Sequence, residues 1–187
     1  MKNNLKKSKL LISPQLGVYS NLYKDIYFDK YHGIKETQHN FLKANNLVSR
    51  FKKSNRFIIS ELGFGTGLTF LMTLKLWKKT KKPNAKLIFI SFESAPLTKI
   101  ELKQVYKSLK GLKTLSSQLI KKLPSTYQSI HRLFFESENV ELILIYDDFN
   151  NLKNFNFKAD AWFLDGFAPQ KNTSAWNSKL FEQIYFT

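Results

Sequence analysis

Cysteine is absent from this 187-residue chain, which excludes disulfide staples and thiolate-held metal centres alike. Histidine is nearly as scarce. His32, His39 and His131 stand far apart without ligand-like spacing, so no metal site is expected and each reads as a surface or packing residue. Long apolar runs are missing too. None approaches the ~20 residues needed to cross a bilayer. Leu10-Leu11-Ile12, behind four early lysines, is far too short for a signal-peptide core. The chain is therefore expected in the cytoplasm. Acidic residues are also few, 14 against 30 Lys and Arg, giving a net charge of +16. Such a field attracts polyanions, most plausibly nucleic acid. Drift toward AT-rich codons is the competing origin, since only Arg50, Arg56 and Arg132 are arginine and Asn is abundant. Drift would exchange Arg for Lys without needing to create the surplus, so nucleic-acid binding is preferred. A membrane-surface helix is disfavoured because the lysines are spread along the chain.

What is present argues for one folded α/β domain. The chain is 43% hydrophobic with 17 Phe, and a chain near this length buries roughly 70% of its unfolded surface. Its most informative stretch is Ile58-Ile59-Ser60-Glu61-Leu62-Gly63-Phe64-Gly65-Thr66-Gly67. An apolar β-type run ends in an acid and a Gly-x-Gly-x-Gly turn; Leu68 to Lys79 then carries Phe70, Leu71, Leu74 and Trp77 at helical spacing. A strand, glycine turn and helix start let backbone approach a nucleotide closely. A dinucleotide fold would want Gly-x-Gly-x-x-Gly, and the sixth position here is Leu68. Glu61 with Gly63, Gly65 and Gly67 fits the S-adenosylmethionine version better. A tight βα turn without a ligand is the bland alternative.

Residues 1–12 read as a basic, loosely ordered leader and 13–31 as a hairpin-like lead-in, so that 1–32 precede a main domain over 33–187. From Gly33 to about Val48 the spacing predicts one amphipathic helix. Strands are expected at about Phe57–Leu62, Leu87–Glu93, Val140–Tyr146 and Ala161–Leu164. Helical segments are expected from Thr98 to about Leu123 between Pro96 and Pro124, and a last helix from a Thr173 or Ser174 cap through Ile184. Strands alternating with helices imply a parallel sheet with crossovers. Each strand places an acid at or near its carboxyl end, where open α/β sheets bind ligands.

Each acid has a candidate task beside a bland one. Glu61 either organises the glycine loop or approaches a cofactor's cationic amino group; capping of backbone N–H groups is its alternative. Glu93 offers paired acceptors for two ribose hydroxyls, or caps a turn. Asp148 is placed to accept from an adenine amino group, with Asp147 the competing choice. Asp165 opens the loop Asp165-Gly166-Phe167-Ala168-Pro169. A fixed carboxylate there would orient an attacking amine and stabilise the cation that develops on methyl transfer. Because a carboxylate also favours the protonated amine, proton acceptance is its secondary role, and a plain Asp-Gly turn is its alternative. Phe167 and Pro169 could wall a pocket or simply anchor the loop. Lys171 and Asn172 either touch substrate or phosphate or form an exposed pair.

Phe163-Leu164-Asp165-Gly166-Phe167-Ala168-Pro169 with Lys171, Asn172, Trp176, Leu180 and Phe181 resembles the signature of the bacterial tRNA methylaminomethyl-2-thiouridine methyltransferases. Glu61 to Leu68 with Phe70-Leu71, Ser91-Phe92-Glu93, Pro96-Leu97-Thr98 and the stretch from Asp25 to Asn45 resemble further family motifs. The likeness covers roughly residues 20 to 184. It implies a Rossmann-like S-adenosylmethionine-dependent methyltransferase fold with helices on both faces of a parallel sheet. It implies methylation of an aminomethyl group on wobble 2-thiouridine of tRNA. The glycine loop, Glu93 and Asp148 would hold the cofactor and Asp165 would be catalytic. Many relatives carry a fused flavin-dependent oxidase; nothing of it is present here, so a separate route would supply the amine. The methyltransferase fold normally has seven strands, so about three are expected to be missing after strand four and activity of this chain alone is in question. An aminopropyltransferase-like enzyme of the same fold and an inactive basic RNA-binding remnant are the competing readings.

Overall fold

The computed structural model describes residues 5–13, 17–29 and 31–187. Within it, β4 (Arg56–Leu62), β5 (Lys86–Phe92), β7 (Val140–Tyr146) and β8 (Ala161–Leu164) run parallel. They join β6 (Ser129–Phe135) in one sheet of order β6-β7-β5-β4-β8. The period-two alternation of each strand assigns its two faces. Phe57 and Ile59 of β4, Leu87 and Phe89 of β5, and Leu142 and Leu144 of β7 enter the larger core. Their neighbours Leu62, Ile88, Ile90, Phe92 and Ile145 enter a second core on the opposite face.

The larger core is closed by α3 (Leu68–Thr80), whose Phe70, Leu71, Leu74 and Trp77 are fully buried as the helical spacing predicts. Trp77 packs edge-on against Phe51 at 4.8 Å, and burial of one such side chain stabilises by about 1.5–3 kcal/mol. α5 (Lys113–Lys122) packs on the same side through Leu115 and Leu119. α4 (Lys99–Tyr106) begins at a Thr98–Glu101 capping box. The opposite face is covered more thinly, by the 3₁₀ segment Phe149–Asn154 and by α6 (Ser178–Phe186). Helices therefore flank both faces of a mostly parallel sheet. β8 pairs only with β4, and among the described residues its outer edge carries no strand.

Several elements depart from the sequence-based expectations. β6 was not anticipated; it runs antiparallel to β7 as an edge strand. Its alternation is plain in retrospect, with His131, Leu133 and Phe135 buried and Ile130 and Phe134 exposed. The single helix expected over 33–48 is broken. α1 (Gly33–Thr37) passes into a π-helical turn at Gln38–Lys43, and Asn46 adopts a left-handed conformation at φ 49° before α2 (Leu47–Lys53). The last helix is capped by Asn177, whose side chain accepts from the Leu180 N–H, and not by Thr173 or Ser174. The described part of the leader is ordered as well. Lys6 N–H donates to the Ser94 carbonyl, and β1 (Leu10–Ser13) pairs with β2 (Gly17–Ser20), which pairs with β3 (Asp25–Phe28) in a separate antiparallel sheet.

Candidate active site

Four parallel strands deliver their carboxyl ends to one edge of the sheet. There a cavity of about 230 Å³ is lined by Gly63, Gly65, Glu93, Asp165, Phe167 and Asn172, among others. Gly63 has φ +86°, and a Cβ there would stand 2.8 Å from the Asp165 carbonyl oxygen. Only glycine lets the β4 and β8 tips approach this closely. Gly65, at φ +50°, faces the Tyr27 ring, 3.2 Å from where its Cβ would be.

Glu93 follows β5 and is held from both sides. Its Oε2 accepts from the Gly65 N–H at 2.8 Å and its Oε1 from the Ala95 N–H at 2.7 Å. Burial raises its pKa, opposed by the N–H groups of Gly65, Ala95 and Ser94. A carboxylate has about four acceptor positions, so Glu93 keeps capacity for a further donor from the cavity.

Asp165 follows β8. Thr69 Oγ1, in the first turn of α3, donates to its Oδ2 at 2.8 Å. Crowding by surrounding protein pushes its pKa up to about 6, with the Thr69 hydrogen bond pulling the other way. The side chain nevertheless keeps an exposed surface, turned to the cavity it lines. A group ionising near pH 6 is poised to interact with an amine at neutral pH.

Other candidates stand elsewhere. Glu61 is buried and does not line the cavity; the Ser91 hydroxyl donates to its Oε2 at 2.7 Å, and among the described residues Oε1 has no hydrogen-bond partner. Burial first, and the nearby Asp165 charge second, hold its pKa well above the ordinary carboxylate range. Gly67 lies at the head of α3, against the Phe64 ring, and does not line the cavity. Asp148 does not line it either, although the adjacent Phe149 does. Its Oδ1 accepts from the backbone and side-chain nitrogens of Asn150. Asp147 is the more heavily engaged of the pair, its Oδ1 accepting from Asp148 N–H, Gln128 and Asn151.

Phe167 is wedged between two tyrosines from the amino-terminal sheet, stacked on Tyr23 at 4.5 Å and edge-on to Tyr27 at 5.1 Å. Asp25 Oδ2 accepts from the Ala168 N–H at 3.1 Å. Lys171 Nζ donates to the Lys24 carbonyl at 2.7 Å and lies 3.4 Å from Asp25. Pro169 is exposed and outside the lining, as is Lys171. The sequence reading assigned Thr69 and Tyr23 no part in the site, and gave Asp25 and Tyr27 no role. The segment before residue 32 thus supplies one wall of the cavity.

The arrangement offers a carboxylate with spare acceptor capacity, a close-approach glycine loop and a second carboxylate lining the same cavity. That is a fit for an adenosyl group bearing a positive sulfonium. Among the described residues no group of three His, Asp or Glu could hold a metal ion, and no helix is long and apolar enough to cross a membrane.

A family model described as S-adenosyl-L-methionine-dependent methyltransferase matches residues 110–187. It is 39% identical over 170 residues to the tRNA 5-methylaminomethyl-2-thiouridine biosynthesis bifunctional protein MnmC of Marinomonas sp., covering 89% of this chain and 25% of that protein. The protein of the same name from Hahella chejuensis is 40% identical over 169 residues, with 88% and 27% covered. The chain spans about a quarter of the length of these relatives. A crystal structure of MNMC2 from Aquifex aeolicus shares the fold, with a TM-score of 0.72 at 23% identity over 96% of this chain and 56% of that one.

Proposed function

We propose that the chain methylates the aminomethyl group on wobble 2-thiouridine of tRNA, a cytoplasmic reaction. The observation that carries this reading is Asp165, fixed by Thr69 and open to the same cavity as Glu93 and the glycine loop. S-adenosyl-L-methionine supplies an electrophilic methyl group on a sulfonium sulfur. The free acceptor positions of Glu93 take the two ribose hydroxyls, while Gly63 and Gly65 admit the backbone close to the adenosyl group. Asp148, less engaged than Asp147, is the acceptor for the adenine amino group.

Asp165 receives the substrate amine. Above about pH 6 it is ionised, so it orients the nitrogen by a charge-assisted hydrogen bond and stabilises the positive charge as that charge passes to nitrogen. It also holds the proton that the amine must lose, as its secondary task. Phe167, backed by Tyr23 and Tyr27, keeps water from this side, and Asn172 and Pro169 border the path of the nucleotide. Lys171, steadied by Asp25, meets a phosphate at the rim. The relatives are named bifunctional; on this reading a flavin-dependent oxidase activity supplies the amine.

Labelled methyl transfer to tRNA lacking the modification tests the reading. Asp165→Ala should lower transfer at least ~100-fold, the usual scale for one transition-state electrostatic contact, while calorimetry finds cofactor affinity largely kept. Equal loss of both would overturn the role given to Asp165. RNA binding by the parent chain without transfer would favour an inactive remnant, and transfer to a polyamine alone would favour an aminopropyltransferase-like enzyme.

A further inference from the structure

Behind the glycine loop the molecule carries a second concavity, a groove of about 780 Å³ between α4 and α5. Lys103, Lys107, Lys110, Lys113 and Lys121 line it, and all five are exposed. Between Glu101 and Glu136 the chain contains no acidic residue at all, against six lysines and Arg132. Four lysines outside the groove meet carboxylates: Lys78 pairs with Glu138, Lys86 with Glu141, Lys122 with Glu136 and Lys171 with Asp25. None of the five groove lysines makes an ion pair among the described residues. What sets these five apart is that they gather along one concavity.

The groove is joined to the cavity by one side chain. Tyr106 forms part of the groove, and its buried hydroxyl donates to the Thr66 carbonyl at 2.7 Å. Thr66 lines the cavity. The two concavities therefore share a wall, and a polyanion in the groove lies beside whatever enters the cavity.

Resting on the tRNA reading above, we propose that this groove seats the phosphate backbone of the same tRNA whose modified base enters the cavity. Its concave form suits a strand with regularly spaced charges and does not suit a flat anionic bilayer. Lysine ammonium groups on flexible stems hold phosphates as point charges without reading sequence, so the groove supplies affinity and register while the cavity supplies selectivity.

The test uses the full chain and an unmodified tRNA transcript. Lys107→Gln/Lys110→Gln/Lys113→Gln is compared with a control triple of equal charge, Lys52→Gln/Lys53→Gln/Lys79→Gln, all exposed residues outside the groove. The groove triple should bind tRNA at least ten-fold more weakly, and its plot of log affinity against log salt should be shallower by about two to three units, at ~0.7–0.9 per lost phosphate contact. Calorimetric affinity for S-adenosyl-L-methionine should not change, and the control triple should shift tRNA binding far less. Equal weakening by both triples would reduce the effect to diffuse charge and overturn the groove assignment, as would an unchanged salt slope. A parent chain that binds no tRNA at all would instead bring down the tRNA reading and this proposal with it.

Discussion

The two ends of the central sheet treat buried carboxylates in opposite ways. At the amino ends of the strands each buried acid has a cation. Glu141 is 1% exposed, yet Lys86 approaches it at 2.9 Å and the Arg132 guanidinium also contacts it. Burial pushes its pKa up, but the two cations outweigh that and leave it below the ordinary value. Glu138 is served by Lys78 at 3.2 Å. At the carboxyl ends the buried Glu61 and Glu93, and Asp165 with its surface open to the cavity, make no ion pair among the described residues, and all three have raised pKa values with desolvation by surrounding protein as the leading cause. Only a weak pull from Lys6 reaches Glu93. In a chain with 30 basic residues, this is not a shortage of partners. An unpaired buried carboxylate lowers stability, and it is tolerated where a cationic ligand completes it.

The comparison would break most visibly at Glu93. Glu93→Gln should weaken S-adenosyl-L-methionine binding by about 10- to 100-fold, the worth of hydrogen bonds to a charged acceptor. Urea unfolding at pH 7 should change less than in the next variant. A fall in stability matching the fall in affinity would make Glu93 a structural residue like Glu141.

Glu141→Gln should do the reverse, costing about 1–2 kcal/mol of stability at pH 7 with cofactor affinity intact. This is less than the 3–5 kcal/mol typical of a broken buried pair, because Lys86 and Arg132 remain partly solvated. A carboxyl with a depressed folded pKa stabilises above its unfolded value and loses that contribution as pH falls through the folded one. The gap between variant and parent should therefore close on acidification; a gap constant down to pH 3 would remove the ion pairs from the account.

The smallest effect is expected at Glu61. Its folded pKa lies above its unfolded value of 4.5, so the native state binds the proton more tightly and stability declines as pH rises from there through the folded value. Glu61→Gln keeps an acceptor for the Ser91 hydroxyl and removes that decline. Its unfolding midpoint should match the parent near pH 4 and exceed it near pH 8. A parallel pair of pH curves would show Glu61 to be stably ionised by a partner not seen here.

Much of this architecture was legible because it is local. The apolar runs of β4, β5, β7 and β8 stand out, and so does the glycine turn whose backbone geometry only glycine tolerates at Gly63. β6 escaped notice because Ser129–Phe135 mixes Arg and His with its alternating apolar residues, as a half-exposed edge strand can. The break at Asn46 follows from a left-handed residue inside a pattern that otherwise reads as helical. Asp165 and Glu93 were found through their position at strand ends. Thr69 was not, since a threonine in the first turn of a helix carries no mark of the carboxylate it meets 96 positions later. Tyr23 and Phe167 are likewise paired only by the folded chain.

The clasp between Asp25 and Ala168 joins positions 143 residues apart. During synthesis the amino-terminal strands emerge first and must wait roughly 7–30 s, at ordinary elongation rates, before the loop they grip exists. Until then the Tyr23 and Tyr27 rings have no Phe167 to rest on, and the cavity lacks the lining that Asp165 to Ala168 provide. The pocket thus forms only after this loop has been synthesised, and shorter nascent chains would leave these aromatic rings open to chaperones.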